Sequence, residues 1–210
     1  MNSVEDPILE SNTRPDGAAA GHDGQPDWLV SELPPHYAEI ARQIAELRQQ
    51  ARAYESVASV LWQTGGALTG AVAALFAALG FEAEVMGEPA SFAVRVNLGE
   101  GRHLLVDIVA QEAPIDRRSP HIGRILRALQ EDAGPQDRVV LVTNINPGRA
   151  PADRRDAPVA VDAVRLIQGL GANLVPTSTL FGLWKQSLQH PENARRSVMN
   201  LHAMDGGIFR

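Results

Sequence analysis

The 210-residue chain has no cysteine, so disulfide bonds and cysteine-ligated zinc are excluded. It also lacks an apolar run of the roughly 18 residues that a membrane-spanning helix requires. The N-terminus shows no basic region leading into an apolar one, which is the pattern of a secretory signal. We therefore expect a cytoplasmic protein with no membrane contact.

Several common catalytic motifs are missing as well. The sequence contains no G-x-S-x-G turn, no Walker A lysine loop and no G-x-G-x-x-G after a strand. Aromatic residues make up only 5% of the chain and do not interleave with its arginines, so nucleic-acid bases would have no stacking platform. The histidines beyond the first thirty residues lack metal-ligand spacing: His36, His103, His121, His190 and His202.

The net charge of −6 is concentrated at the N-terminus. Residues 1–30 hold six acids against one arginine and so carry −5, which leaves the rest of the chain nearly neutral. This stretch also has few large apolar residues, and we therefore predict a disordered acidic tail over 1–33. Hydrophobic residues form 44% of the whole sequence, which is enough for one domain with a real core.

A heptad pattern follows Pro34 and Pro35 and predicts a long helix over 34–63. Apolar residues recur at alternating spacings of three and four, which makes the narrow seam of a coiled coil. We interpret the seam as a homodimer contact within 35–61, although a helix lying on its own domain would show a related stripe. The seam residues are Tyr37, Ile40, Ile44, Leu47, Ala51, Tyr54, Ala58 and Leu61.

Residues 64–189 alternate between helical and extended patterns, which predicts an α/β core with a mixed central sheet flanked by helices. Gly99-Glu100-Gly101 joins two apolar strands and is typical of a hairpin turn. The run RVVLVT at 138–143 is continuously apolar, as in a central strand covered on both faces. Helices are expected over 158–170 and from Thr177 onward. We expect residues 190–210 to form a C-terminal tail, either partner-binding or folded back on the core.

Four segments of this core, in their order and spacing, resemble the restriction-endonuclease-like fold, whose nucleases carry a PD-(D/E)XK motif. They are LWQTGGALTGAVAALFAALGFEAE (61–84), GRHLLVDIV (101–109), VVLVTNINPGRAPADRR (139–155) and LVPTSTLFGLW (174–184). The resemblance is to a bacterial group in which a helical leader precedes the nuclease-like core. In such nucleases an acid on the second strand and a D/E on the third hold a divalent metal, and a lysine two residues later orients the attacking water.

Only one of the four motif positions holds the expected residue. The D/E falls on Asp107, whereas the lysine position falls on Val109 and the position of a helix glutamate falls on Thr69. No acid stands near Ser91–Ala93, where the upstream carboxylate is expected. The resemblance therefore implies a dismantled metal site, no cofactor and no catalysis. We expect Asp107 to reach solvent at the former cleft or to be held by a local arginine or by backbone N–H groups.

Two alternatives stay open. Glu88, Gln111 and Glu112 would form an atypical Mg²⁺ site for DNA cleavage if they converged with Asp107. Alternatively, a set of arginines contacts phosphates in a DNA-binding protein that does not cleave. Arg117, Arg118, Arg124 and Arg127 lie in or before one predicted helix, and Arg149, Arg154 and Arg155 lie in a polar loop over 144–156.

The other interpretation of these arginines is a solvated helix face and a structural loop. We therefore predict an interaction, scaffold or regulatory protein that pairs with itself and with another protein.

Overall fold

The computed structural model describes residues 28–154 and 159–209. Most of the predicted acidic tail, and Arg155 in the polar loop, lie outside the described residues. The chain divides into two units, one up to Arg48 and one from Gln49. No helix among the described residues is long and apolar enough to cross a membrane.

The described residues up to Arg48 are mainly helical. A short helix, α1 (Leu29–Glu32), lies inside the stretch predicted as a tail, and α2 (His36–Ala58) begins after Pro34 and Pro35. Arg42 bridges Glu39 and Glu46 one turn to either side, as expected for oppositely charged residues at these helical spacings. The Arg42 guanidinium, together with the Gln43 amide, holds the pKa of the Glu39 carboxyl below its usual value.

The helix predicted over 34–63 ends at Ala58, before Leu61, the last residue of the heptad pattern. Ser59–Leu61 forms a 3₁₀ turn, so Leu61 lies beyond the α-helix and packs against the core of the second unit. Thr64 then precedes α3 (Gly65–Ala78), whose two leucines, Val72 and Phe76 are buried, as its apolar composition predicts.

A six-stranded mixed sheet forms the centre of the second unit, in the order β1-β2-β3-β4-β5-β6. The first three strands pair antiparallel and the remaining ones pair parallel. The turn between β2 and β3 uses left-handed backbone at Gly99, Glu100 and Gly101, as the glycine pattern predicted. The strands are β1 (Glu82–Val85), β2 (Val94–Gly99), β3 (Arg102–Gln111), β4 (Arg138–Ile145), β5 (Asn173–Pro176) and β6 (Gly207–Ile208).

Helices cover both faces of the sheet, which confirms the α/β class with a mixed sheet flanked by helices. The remaining helices are α4 (Pro120–Arg127), α5 (Val161–Gly169), α6 (Thr177–Ser187) and α7 (Pro191–Ala203). One core cluster joins α3, α6 and α7 to the even-numbered residues of β4, and the other joins α4 and α5 to its odd-numbered residues. This alternation follows from the two-residue period of a strand, and it places every β4 side chain in a buried layer or at a strand end.

The C-terminal segment is folded back on the core, which is one of the two arrangements expected for residues 190–210. Val198 and Leu201 of α7 are fully buried in the first cluster, and β6 extends the sheet beside β5. Gly206 makes this possible, because it has a φ of +84° and a Cβ there would lie 2.7 Å from the carbonyl oxygen of Gln168. Gly206 therefore marks a close backbone approach.

Candidate functional site

Asp107 lies on β3 at the point where β2 begins. β2 and β3 are antiparallel, and Val94, the first residue of β2, pairs with Val106. The β3 residues from Asp107 onward therefore lie beyond the first residue of β2. A cleft of about 330 Å³ opens there, lined among others by Thr69, Asp107, Gln111, His121 and Arg124. The sequence resemblance places the former metal site at this position.

Two cationic or ionisable side chains of α4 hold Asp107. Oδ1 of Asp107 lies 3.0 Å from Nη2 of Arg124, and Oδ2 lies 3.0 Å from Nδ1 of His121. The helix presents both groups because residues three apart share one face, while Ile122 and Ile125 anchor it in the core. Of the alternatives expected for Asp107, the local arginine partner is present. The carboxylate does not reach solvent, since Asp107 is only 2% exposed.

The proton on His121 decides how this cluster is bonded. Nδ1 of His121 also lies 2.7 Å from Nη2 of Arg124. With a proton on Nδ1 the ring donates to Asp107, whereas the other tautomer accepts from Arg124. In either tautomer the buried carboxylate faces a guanidinium, which compensates its charge within the chain.

The other residues of the predicted metal set do not gather here. Glu88 and Glu112 are exposed and do not line the cleft, and Nε2 of Gln111 donates to the carbonyl of Ala113 at 2.7 Å. Val109 is buried. Over the described ranges, no cluster of three or more His, Asp or Glu side chains has the arrangement of a metal site. The cleft thus brings together Asp107 and Gln111 alone from the predicted set.

The predicted arginine surface separates into parts. Arg117, Arg118 and Arg127 are exposed, and Nε of Arg117 is 3.9 Å from Asp162 of α5. Arg124 points instead to Asp107. Of the predicted arginine surface at α4, Arg124 is therefore engaged in an internal ion pair, and the other arginines are exposed to solvent.

A second polar cluster surrounds Arg154, after β4. Nη1 donates to Oδ1 of Asn144 at 2.7 Å, Nε donates to the carbonyl of Arg149 at 3.0 Å, and Nη2 donates to the carbonyl of Leu61. Asn144, fully buried, donates in turn to the carbonyls of Val60 and Gln63. These bonds tie the polar loop to the segment before α3, and partial burial lowers the pKa of the Arg154 guanidinium.

Of the two interpretations left open for the polar loop, this cluster favours the structural one. Asn144 is an internal brace, whereas the Arg149 residue is exposed. Thr143, Thr177 and Ser178 line a small cavity beside Arg154 and were not assigned to any site. A signal existed, because a threonine at the end of an apolar strand and a Thr-Ser pair at a helix start both lie at the carboxyl ends of parallel strands.

The fold and the site define an α/β protein with a six-stranded mixed sheet and a buried aspartate on its third strand that pairs with a histidine and a half-exposed arginine of α4. No protein-family model, no curated protein and no solved structure matches the chain.

Proposed function

We propose that this protein is a non-catalytic member of the restriction-endonuclease-like fold, acting as a homodimeric interaction or regulatory subunit. The observation that carries the proposal is the internal ion pair of Asp107. A carboxylate that serves as a Mg²⁺ ligand must offer an oxygen to the ion. Here both oxygens already face side chains of α4 at 3.0 Å.

The order of elements supports the nuclease-like part of the proposal. In the nucleases that the sequence resembles, the D/E stands on the third core strand, and Asp107 stands on the third strand of this sheet. A helix precedes the three antiparallel strands, and α4 then leads to the parallel strand β4. The lysine position holds Val109, an apolar side chain that is buried in the α4 and α5 layer and lines the cleft without a charge.

The charge at the cleft supports the non-catalytic part. A divalent cation beside Asp107 would lie next to the Arg124 guanidinium, and like charges a few ångströms apart repel strongly in a partly dry site. The ion would therefore have to displace Arg124. Among the residues that the structure describes, no second carboxylate lines the cleft to balance that loss.

The homodimer is supported by α2. Ile44 is 44% exposed and Leu47 is 63% exposed, and both occupy the seam of the heptad pattern. A 3.5-residue repeat keeps such a seam facing one partner helix along its length, so a second copy of α2 is the occupant that fits it.

The metal test uses the purified chain with Mn²⁺ and with Mg²⁺, measured by calorimetry and by cleavage of supercoiled and linear DNA. We expect no metal-dependent cleavage and no Mn²⁺ binding that Asp107→Asn abolishes. The matched control is Arg127→Gln, which changes an exposed arginine on the same helix. Cleavage that depends on metal, is lost in Asp107→Asn and persists in Arg127→Gln would overturn the non-catalytic proposal.

The runner-up is a metal-dependent nuclease, and one observation favours it. Asp107 and Gln111 line one open cleft, and the Arg124 side chain is 44% exposed, so it has room to turn toward solvent. If the protein is a metal-dependent nuclease, Arg124→Gln raises both its Mn²⁺ affinity and its rate of DNA cleavage. Under the leading proposal, the same variant gains neither.

A further inference from the structure

A cavity of about 160 Å³ lies where β4 and β5 end and α6 begins. Thr143, Arg154, Thr177 and Ser178 are among its lining residues. The carboxyl ends of parallel strands are where ligands bind in open α/β sheets. This cavity is separate from the Asp107 cleft, because the two share no lining residue.

Within the described ranges, the positive charge that Arg154 brings to the cavity has no carboxylate partner. Its three bonds to protein acceptors go to two backbone carbonyls and one amide oxygen, none of which carries a negative charge. Among the described residues, no carboxylate lies within ion-pair distance of Arg154. A guanidinium has five N–H donors, so two donors remain after these three bonds. A partly buried cation in this situation favours an anion beside it.

Thr143 provides a second, independent sign of a ligand. It is 2% exposed, and within the described structure its hydroxyl has no hydrogen-bond partner. Buried polar atoms are nearly always satisfied, and an orphan one costs about 1–3 kcal/mol. The neighbouring hydroxyl of Thr177 is satisfied, since it donates to Oδ1 of Asn144 at 3.2 Å.

The start of α6 completes the arrangement. The helix spans Thr177–Ser187, and Pro176 precedes it, so no side-chain cap bonds its first turn. The first N–H groups of a helix have no acceptor within the helix, and together with the helix dipole they attract an anion. Thr177 and Ser178, in this first turn, both line the cavity.

We propose that this cavity binds a phosphate-type tetrahedral oxyanion, held by Arg154, the first turn of α6 and the hydroxyl of Thr143. Donors that reach it from three elements suit a tetrahedral group. The volume is below the roughly 300 Å³ where pockets for drug-sized ligands begin, so the site takes the anionic group and leaves the rest of a larger ligand outside.

The test is a titration followed by amide chemical shifts of residues 177–180. One arm uses inorganic phosphate, a second uses a 5′-mononucleotide, and sodium chloride at equal ionic strength is the reference. We expect saturable shifts with phosphate that chloride does not reproduce. A tighter response to the mononucleotide would identify the bound group as the phosphate of a larger molecule, and an equal response would identify free phosphate.

Three variants make the test specific. Arg154→Gln should weaken binding about tenfold or more, because it removes a charged donor. Arg149→Gln removes the same charge from the same loop, outside the cavity lining, and should stay within about twofold. Thr143→Val replaces the orphan hydroxyl by a methyl group of similar shape, so it should weaken phosphate binding several-fold without lowering the unfolding temperature in chloride.

Two results would overturn the proposal. One is a phosphate response that fails to saturate or that chloride reproduces. The other is binding that Thr143→Val and Arg154→Gln leave unchanged. If Arg154→Gln does not fold, Thr143→Val alone decides, because nothing within the described structure bonds to its hydroxyl.

Discussion

At the scale of single residues, the Asp107–Arg124 pair is asymmetric. Asp107 is almost wholly buried, whereas the Arg124 side chain keeps nearly half of its surface in water. Losing the carboxylate leaves an arginine that water can solvate. Losing the arginine leaves a buried carboxylate with only His121 beside it. The two substitutions should therefore differ greatly in their effect on the free energy of unfolding.

We predict that Arg124→Met lowers the free energy of unfolding by about 3 kcal/mol, the cost of breaking a buried ion pair from one side. Asp107→Asn, which removes the buried charge and keeps the side-chain shape, should cost about 1 kcal/mol. Urea unfolding monitored by circular dichroism measures both values, provided that the slope with denaturant is unchanged.

Arg127→Met is the matched control for this prediction. It removes the same charge from an exposed position of α4, and we expect a change within about 0.5 kcal/mol. Equal losses for Arg124→Met and Arg127→Met would mean that Arg124 does not stabilise Asp107.

The sequence alone predicted that Asp107 either reaches solvent at the cleft or is held by a compensating group, because a carboxylate in the run LLVDIV is costly to leave unpaired. It also suggested a local arginine. It did not select Arg124 from the four arginines around α4, since that choice depends on the rotation of the helix against β3. The cavity at Arg154 was harder still to predict from the sequence, because its walls come from residues far apart in the chain.

At the scale of secondary-structure elements, strong patterns predicted their elements well. The glycine turn was predicted where β2 ends, and the continuous apolar run was predicted as the strand that β4 forms. The C-terminal helix was not predicted as part of the core, because α7 places one apolar residue per turn on a polar background. The two residues of β6 are too few for any pattern.

We predict that Leu201→Ala lowers the free energy of unfolding by about 3 kcal/mol, since Leu201 is fully buried between α7 and the sheet. Thermal and urea unfolding would measure this cost. Leu188→Ala removes the same atoms from an exposed position just after α6 and should change stability by less than about 0.5 kcal/mol. A small effect at Leu201 would favour the other expected arrangement, a tail that binds a partner.

At the scale of the whole molecule, the seam of α2 is not equally free along its length. Tyr54 packs edge-to-face with Trp184 of α6, with ring centroids 5.8 Å apart, and Leu61 joins the core of its own unit. Ile40, Ile44 and Leu47 are exposed. Tyr54 is itself 53% exposed, but a substitution there would also disturb its contact with Trp184, so substitutions that test the dimer belong in the part of the seam before Tyr54.

We predict that the wild type is a dimer at micromolar concentration and that Ile44→Lys with Leu47→Lys makes it a monomer, because a buried lysine pair opposes an apolar seam. Light scattering coupled to size-exclusion chromatography measures the mass. Ala45→Lys with Gln49→Lys adds the same charge to the polar face of the same helix, so this control should stay dimeric. A monomeric wild type would refute the dimer, and dissociation of the control would place the contact on the polar face instead.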